Sequence, residues 1–139
     1  MTRDPAAGLG AMLVRALRRQ CARCGGPGIF RTFGELKDHC PTCGFRFERE
    51  SGYWVGAMII NTAVTFALFL ITFVGGVVAT WPEVAWTPVF VATILVCGVV
   101  PIVFYPRSKT VWQAIELSYH PLESQEIEAA RAALASTEP

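Results

Sequence analysis

Two long runs without a charged side chain dominate the pattern of hydrophobic and polar positions along the chain. The first covers residues 51–82, and the second follows the single acid Glu83 and ends at Pro106. Because a helix rises about 1.5 Å per residue, about 20 apolar residues cross a hydrocarbon layer of about 30 Å. The pattern therefore predicts two membrane-spanning helices, residues 51–82 and 83–106, joined by a short loop into an α-helical hairpin.

The first run carries small and hydroxylated residues along one helical stripe, which consists of Asn61, Thr65, Thr72, Gly76 and Ala79. Small residues allow two helices to approach closely, and an amide within hydrocarbon prefers a hydrogen-bonding partner. We therefore predict that this stripe packs against the second span or against another membrane protein. The runs contain no ionisable side chain at membrane depth, which argues against ion or proton transport.

Amphipathic segments flank the two runs. Residues 1–20 predict a helix that starts at Asp4 and Pro5 and carries leucines on one side and arginines on the other. Such a helix suits the surface of an anionic membrane, although it could instead pack on the domain that follows. Residues 107–139 predict an amphipathic helix that ends at Pro121, followed by a polar helix.

The composition and the distribution of charge indicate a membrane protein and its orientation. Of the 139 residues, 53% are hydrophobic and 17% are charged, which is typical of chains embedded in a lipid bilayer. Nine of the twelve basic residues precede the first run, whereas Arg107 and Lys109 directly follow the second. By the positive-inside rule, we expect a multi-pass protein of the inner (plasma) membrane with both termini in the cytoplasm.

The strongest chemical motif is a set of two cysteine pairs between the N-terminal helix and the first run. Cys21 and Cys24 are followed after fifteen residues by Cys40 and Cys43, a spacing typical of zinc sites with four cysteine ligands. The motif predicts a β zinc ribbon over residues 21–50 that holds one structural zinc ion. Its expected apolar core comprises Ile29, Phe30, Phe33, Leu36, Phe45 and Phe47.

Other chemistries for these cysteines fit the sequence less well. Disulfides are disfavoured because the predicted topology places the cysteines in a reducing compartment, and a redox pair is disfavoured because there are two such pairs. Iron in the same four-thiolate geometry stays open, since spacing alone does not separate it from zinc. His39 beside the second pair is a conceivable further ligand, but we interpret it as a surface residue, and Cys97 in the second run as a packing residue.

The order of these parts resembles a known type of protein. The residues Cys-x-x-Cys-Gly-x-x-Gly-Ile-Phe, then Cys-Pro-Thr-Cys-Gly-Phe-x-Phe, two close spans and Tyr-Pro-Arg-Ser-Lys-Thr-Val-Trp-Gln-Ala-Ile-Glu resemble a bacterial domain-of-unknown-function family of short membrane proteins with an N-terminal zinc ribbon. The resemblance implies that the four cysteines are metal ligands. It also implies an association with haem-copper oxidases, because some members are encoded beside their subunits and assembly factors.

Three functions are compatible with the sequence. The leading hypothesis is a non-enzymatic adaptor, accessory subunit or assembly factor of a larger membrane complex, with a haem-copper respiratory oxidase as one candidate. We expect no catalytic residue and no small-molecule substrate, because no nucleophile–base or carboxylate pair has a useful spacing. The alternatives are a metal-handling or metal-sensing protein with an exchangeable four-cysteine site and a membrane-tethered nucleic-acid binder, the latter disfavoured by its small basic footprint.

Overall fold

The computed structural model describes residues 8–136, and within them the regular secondary structure is helical. The helices are α1 (Leu9–Leu17), α2 (Val55–Ala79), α3 (Trp86–Tyr119) and α4 (Ser124–Ala135). The segment between α1 and α2, residues 18–54, contains the two cysteine pairs and is here termed the cysteine domain. The predicted helix start at Asp4 and Pro5 lies outside the described residues, and α1 begins at Leu9.

Helices α2 and α3 form the hairpin that the two uncharged runs predict. They contain 25 and 34 residues, and their most apolar stretches are only 0% and 11% buried within the protein. A core helix of a water-soluble protein would bury such a stretch, whereas a helix in lipid leaves it facing outward. The two helices are therefore long and apolar enough to span a membrane.

The polar stripe on α2 faces α3. Asn61 Nδ2 donates a hydrogen bond to the carbonyl oxygen of Pro101 at 3.2 Å. The two helices also pack closely at one end of the hairpin, where a Cβ atom added to Gly76 would lie 3.0 Å from the Val89 side chain. The predicted packing of this stripe against the second span is thus confirmed at both positions. Ala79 is an exception, since it is exposed.

Helix α3 is longer than the predicted second span. It passes through Pro101 and Pro106 without interruption and ends at Tyr119, whereas the sequence predicts a division after Pro106. A proline inside a helix removes one backbone hydrogen bond, but the turn after Pro106 is fixed from outside. There Thr110 Oγ1 donates to the carbonyl oxygen of Ala16 in α1 at 2.7 Å, so tertiary contact maintains the helical path.

The predicted β structure of the cysteine domain is not confirmed. Within residues 8–136 the only β pairings are two isolated bridges, Phe30 with Leu36 and His39 with Arg46. The metal-ligand turns and glycines leave segments too short for a ladder of hydrogen bonds. Burial nevertheless alternates around Arg46, because Phe45 and Phe47 on either side of it are buried.

The cysteine domain packs on the part of α3 that extends beyond the membrane span. Its core contains Cys21, Ile29, Leu36, Cys40, Phe45 and Phe47, and Leu117 of α3 packs against it. A smaller cluster of Ala16, Ala22 and Ala114 joins α1 to the same face of α3. The prediction that Phe33 belongs to the core is wrong, because 56% of this residue is exposed. Its neighbour Gly34 instead contacts α3.

Candidate metal centre

The two cysteine pairs occupy turns of the same geometry. The amide of Gly25 donates to the carbonyl oxygen of Cys21 at 2.8 Å, and that of Gly44 donates to Cys40 at 2.9 Å. Each glycine has a positive φ angle, +74° and +66°, which glycine adopts without the steric cost of a Cβ atom. These turns direct the two sulfur atoms of each pair toward a common point.

The four sulfur atoms form a cluster of the size that a metal ion requires. All four ligand atoms lie within 4.8 Å of one another. The Sγ atoms of Cys21 and Cys43 are 3.9 Å apart, and those of Cys24 and Cys40 are 3.7 Å apart. Four sulfurs bound tetrahedrally to zinc at about 2.3 Å are separated by about 3.8 Å. The predicted ligands are thus assembled at a spacing that fits zinc, and iron shares the same arrangement.

Hydrogen bonds within the cluster shift the pKa values of its thiols in opposite directions. Hydrogen bonding with Cys24 raises the pKa of Cys21, whereas hydrogen bonding with Cys21 lowers that of Cys40. The pKa of Cys24 is lowered to about 7, first by its hydrogen bond with Cys21. Negative charge that is confined to so small a volume favours a divalent cation, which stabilises thiolates directly.

Helix α1 clamps the first cysteine turn. The Arg15 side chain donates from Nη1 to the carbonyl oxygens of Ala22 and Arg23, at 3.5 and 3.1 Å. The same side chain would be 3.4 Å from a Cβ atom at Gly25. Arg15 therefore crosses the turn between the first two ligands and fixes it to α1.

Helix α4 covers the second cysteine turn. A Cβ atom at Gly44 would overlap the carbonyl group of Ala130, so the backbone of α4 lies directly on this turn. The position directly after Cys43 explains why the turn contains a glycine, but the sequence gives no indication of what this glycine contacts. The two halves of the cluster are thereby held from opposite ends of the described chain, by α1 and by α4.

An ion-pair junction joins the cysteine domain to α3 and α4. Arg49 Nε lies 2.7 Å from a carboxylate oxygen of Glu126, and its Nη1 lies 3.0 Å from Glu116. Arg49 also donates to the carbonyl oxygen of His120 at 3.0 Å, and Tyr53 Oη donates to Glu116 at 3.1 Å. The Arg49 side chain is only 13% exposed. We call these residues the Arg49 junction.

The contacts of the Arg49 junction shift the pKa values of Glu126 and Tyr53. The hydrogen bond from Arg49 holds the pKa of Glu126 below its ordinary value. Burial, followed by the charge of Glu116, raises the pKa of Tyr53 far above its usual range. Sequence reasoning missed the junction because the partners of Arg49 lie 67 and 77 residues away, where no local periodicity relates them.

The other residues considered from the sequence lie outside the cluster. His39 is exposed and is not among the grouped ligand atoms, and Cys97 is exposed on α3. Arg15 and Arg19, part of the basic footprint considered for nucleic acid, donate to backbone carbonyl groups within the protein. The nucleic-acid hypothesis stays a prediction.

The family assignment follows from a match over most of the hairpin and part of the cysteine domain. The model of the family DUF983, described as a protein of unknown function, matches residues 30–117, which is more than half of the chain. The chain belongs to the DUF983 family. The resemblance seen in the sequence is therefore confirmed.

The matched region of this DUF983 protein includes Cys40 and Cys43 but begins after Cys21 and Cys24. It covers α2 and most of α3, and it excludes α1 and α4. No curated protein and no solved structure matches the chain. The completeness of the four-sulfur site thus comes from the geometry of this chain rather than from the family match.

Proposed function

We propose that this DUF983 protein is a non-enzymatic membrane adaptor, in which a structural zinc ion stabilises the cysteine domain for contact with a larger membrane complex. The observation that carries the proposal is the position of the four-sulfur cluster. Its first turn is clamped by α1 and its second is covered by α4, while α3 connects the domain rigidly to the membrane hairpin. A metal ion at this point would stabilise the contacts of three helices together.

A structural role fits the chemistry of the ligands. Four thiolates complete the tetrahedral coordination of zinc, so no coordination position remains for a reactive water molecule or a substrate. The energy of metal binding then contributes to folding of the surrounding segment. Zinc is favoured over iron in this proposal because a structural role requires no change of redox state.

An adaptor role fits the continuity of α3. This helix runs from the membrane span to Tyr119, and about 14 residues beyond Tyr105 extend it by about 20 Å. The cysteine domain is thereby held at a fixed height and rotation above the bilayer. A rigid surface of this kind suits an accessory subunit or assembly factor, and a haem-copper respiratory oxidase is a candidate complex by the family resemblance.

Copurification from native membranes tests the adaptor proposal. The wild-type protein, Cys40→Ser and the control Cys97→Ser would be isolated in mild detergent and the bound proteins identified by mass spectrometry. We expect the same integral membrane partner with the wild type and with Cys97→Ser, and its loss with Cys40→Ser. A wild-type protein that retains zinc but has no stoichiometric partner after cross-linking in the membrane would contradict the proposal.

One observation favours metal exchange as a second candidate function. Cys21 and Cys40 are buried, but Cys24 and Cys43 are only half-buried as residues, so a competing ligand would approach the cluster from the second cysteine of each pair. Timed transfer of zinc to a weak chelator separates the two functions. Retention of zinc over hours supports the structural role, whereas transfer within seconds without unfolding of the domain supports metal handling or sensing.

A further inference from the structure

A loop of the cysteine domain, residues 31–35, lies where α3 leaves the predicted membrane span. Lys109 Nζ donates to the carbonyl oxygen of Gly34 at 2.9 Å, and a Cβ atom at Gly34 would be 2.9 Å from the Tyr105 ring. Counting from Trp86, Tyr105 completes the roughly 20 residues that cross the hydrocarbon layer. The loop therefore lies level with the membrane–water interface on the side of the cysteine domain.

Phe33 projects from this loop rather than into the protein. It is 56% exposed, although the adjacent Gly34 is in contact with α3. Its ring has a partial cover in Arg19, whose guanidinium carbon is 5.9 Å from the ring centre. Aromatic rings concentrate at the interfacial layer of membranes. An exposed phenylalanine at that height can bury its ring in lipid instead of leaving it in water.

Two arginines lie at about the level of the loop. Arg19 donates to the carbonyl oxygen of Phe33 at 3.2 Å, and Arg107 follows Tyr105 by two residues, which is about 3 Å further along the axis of α3. Among residues 8–136, neither arginine has an acidic partner within ion-pair distance, whereas Arg31 in the loop pairs with both Glu35 and Asp38. The positive charges of Arg19, Arg107 and Lys109 outweigh the one acid left in excess by that pairing, so the net charge here is positive, which complements the phosphates of an anionic leaflet.

We propose that loop 31–35 is a membrane-contact element of the protein. The Phe33 ring enters the interfacial layer, and Arg19 and Arg107 bind phosphate groups of anionic lipids. Together with the bond from Lys109, this contact fixes the cysteine domain against the bilayer at a point separate from the two spans. The inference concerns a lipid-binding surface of the folded cysteine domain and does not depend on the adaptor function.

A spin label at position 33 tests this placement in the full-length protein. Phe33→Cys would be made in the Cys97→Ser background, loaded with zinc to protect the four ligand thiols, labelled, and reconstituted in vesicles of phosphatidylcholine and phosphatidylglycerol. Collision rates with oxygen, which concentrates in lipid, and with a water-soluble nickel chelate report the depth of the label. The matched control is Glu128→Cys, an exposed position on α4.

We expect the oxygen-to-nickel ratio to be severalfold higher at position 33 than at position 128. Equal ratios would overturn the proposal, as would a label at position 33 that neither reagent reaches, because that would indicate cover by a second protein copy. If Phe33→Cys does not retain zinc, Thr32→Cys provides the same test from the neighbouring exposed position. A ratio unchanged by replacing phosphatidylglycerol with the zwitterionic phosphatidylcholine would contradict the contact of Arg19 and Arg107 with anionic headgroups.

Discussion

Arg49 Nη2 donates to Glu126 at 2.8 Å, while its Nε donates to the second oxygen of the same carboxylate at 2.7 Å. This two-point contact connects the end of the cysteine domain to α4. A planar guanidinium and a carboxylate paired in this way are held in orientation as well as in position. Because α4 also lies on Gly44, the ion pair determines how firmly the second cysteine turn is covered.

Removal of this side chain should release α4. We expect Arg49→Ala to reduce the stability of the docked state by about 2 kcal/mol, since hydrogen bonds to charged groups are lost and Glu116 keeps a partly buried charge. Hydrogen exchange of residues 124–135 measures the release. Arg46→Ala is the control, because Arg46 is exposed and has no ion pair among the described residues. Equal protection of α4 in both variants would contradict the assigned role of Arg49.

The contact between Arg49 and Glu126 also predicts a dependence on pH. Because the folded-state pKa of Glu126 is lowered from its ordinary 4.5, its contribution to stability is complete above that value and disappears as the pH falls through the folded-state pKa. The difference in α4 protection between wild type and Glu126→Gln should therefore vanish in acid. Metal content must be followed in parallel, since thiolates also take up protons. A difference that persisted at low pH would rule out this linkage.

Two glycines with similar backbone angles allow the cost of backbone strain to be measured separately from the cost of disturbing the docking of α4. Gly44 and Gly28 have φ angles of +66° and +75°, but only Gly44 is covered by α4, whereas a Cβ atom at Gly28 would meet nothing within 4 Å. Gly28→Ala should cost about 1 kcal/mol from backbone strain alone. Gly44→Ala should cost more and should also expose α4 to protease. The prediction is wrong if the two variants lose equal stability and α4 remains protected in both.

The hydrogen bond between the two membrane helices makes a further prediction. Asn61→Leu should weaken the association of α2 and α3 by about 1 kcal/mol, the usual size of a hydrogen bond between membrane helices. Ala63→Leu is the control, because Ala63 is exposed and, two residues after Asn61, lies on the opposite side of α2. Cross-linking yield between cysteines placed on the two helices measures the association. An effect of Ala63→Leu as large as that of Asn61→Leu would show that the contact face is assigned wrongly.

The sequence predicts those features that depend on local pattern. The uncharged runs indicate α2 and α3, and the cysteine spacing indicates the four-sulfur cluster, because both follow from residues close together in the chain. The Arg49 junction and the cover of Gly44 by α4 depend on residues far apart, so periodicity contains no signal for them. The continuity of α3 through Pro106 and the exposure of Phe33 have the same origin, since tertiary contact overrides the local preference at each.

Orientation in the membrane remains a prediction from the distribution of basic residues. The structure places the cysteine domain, α1 and α4 at the same end of the hairpin, through contacts with the extension of α3. The eight basic residues that precede the first run within the described part of the chain therefore share one side with Arg107 and Lys109. That agreement is the reason to expect this side in the cytoplasm.

The metal dependence of the cysteine domain is the central claim, and Cys40→Ser tests it most directly. Ordering each residue costs roughly 1–2 kcal/mol of backbone entropy, and a domain with so few buried apolar side chains needs the additional energy of a metal. Structural zinc contributes about 10–16 kcal/mol of apparent binding energy in comparable peptides. The variant should therefore unfold residues 21–47 and release α4, while α2 and α3 stay inserted.

The deciding measurement combines metal analysis with limited proteolysis of the purified protein in bilayers, and Cys97→Ser serves as the control. We expect one zinc ion per chain in the wild type and the control, with residues 21–47 resistant to protease in both. Cys40→Ser should hold no metal tightly and should be cut rapidly within that window, while the hairpin remains intact. A metal-free wild-type protein whose cysteine domain still resists protease would contradict the account.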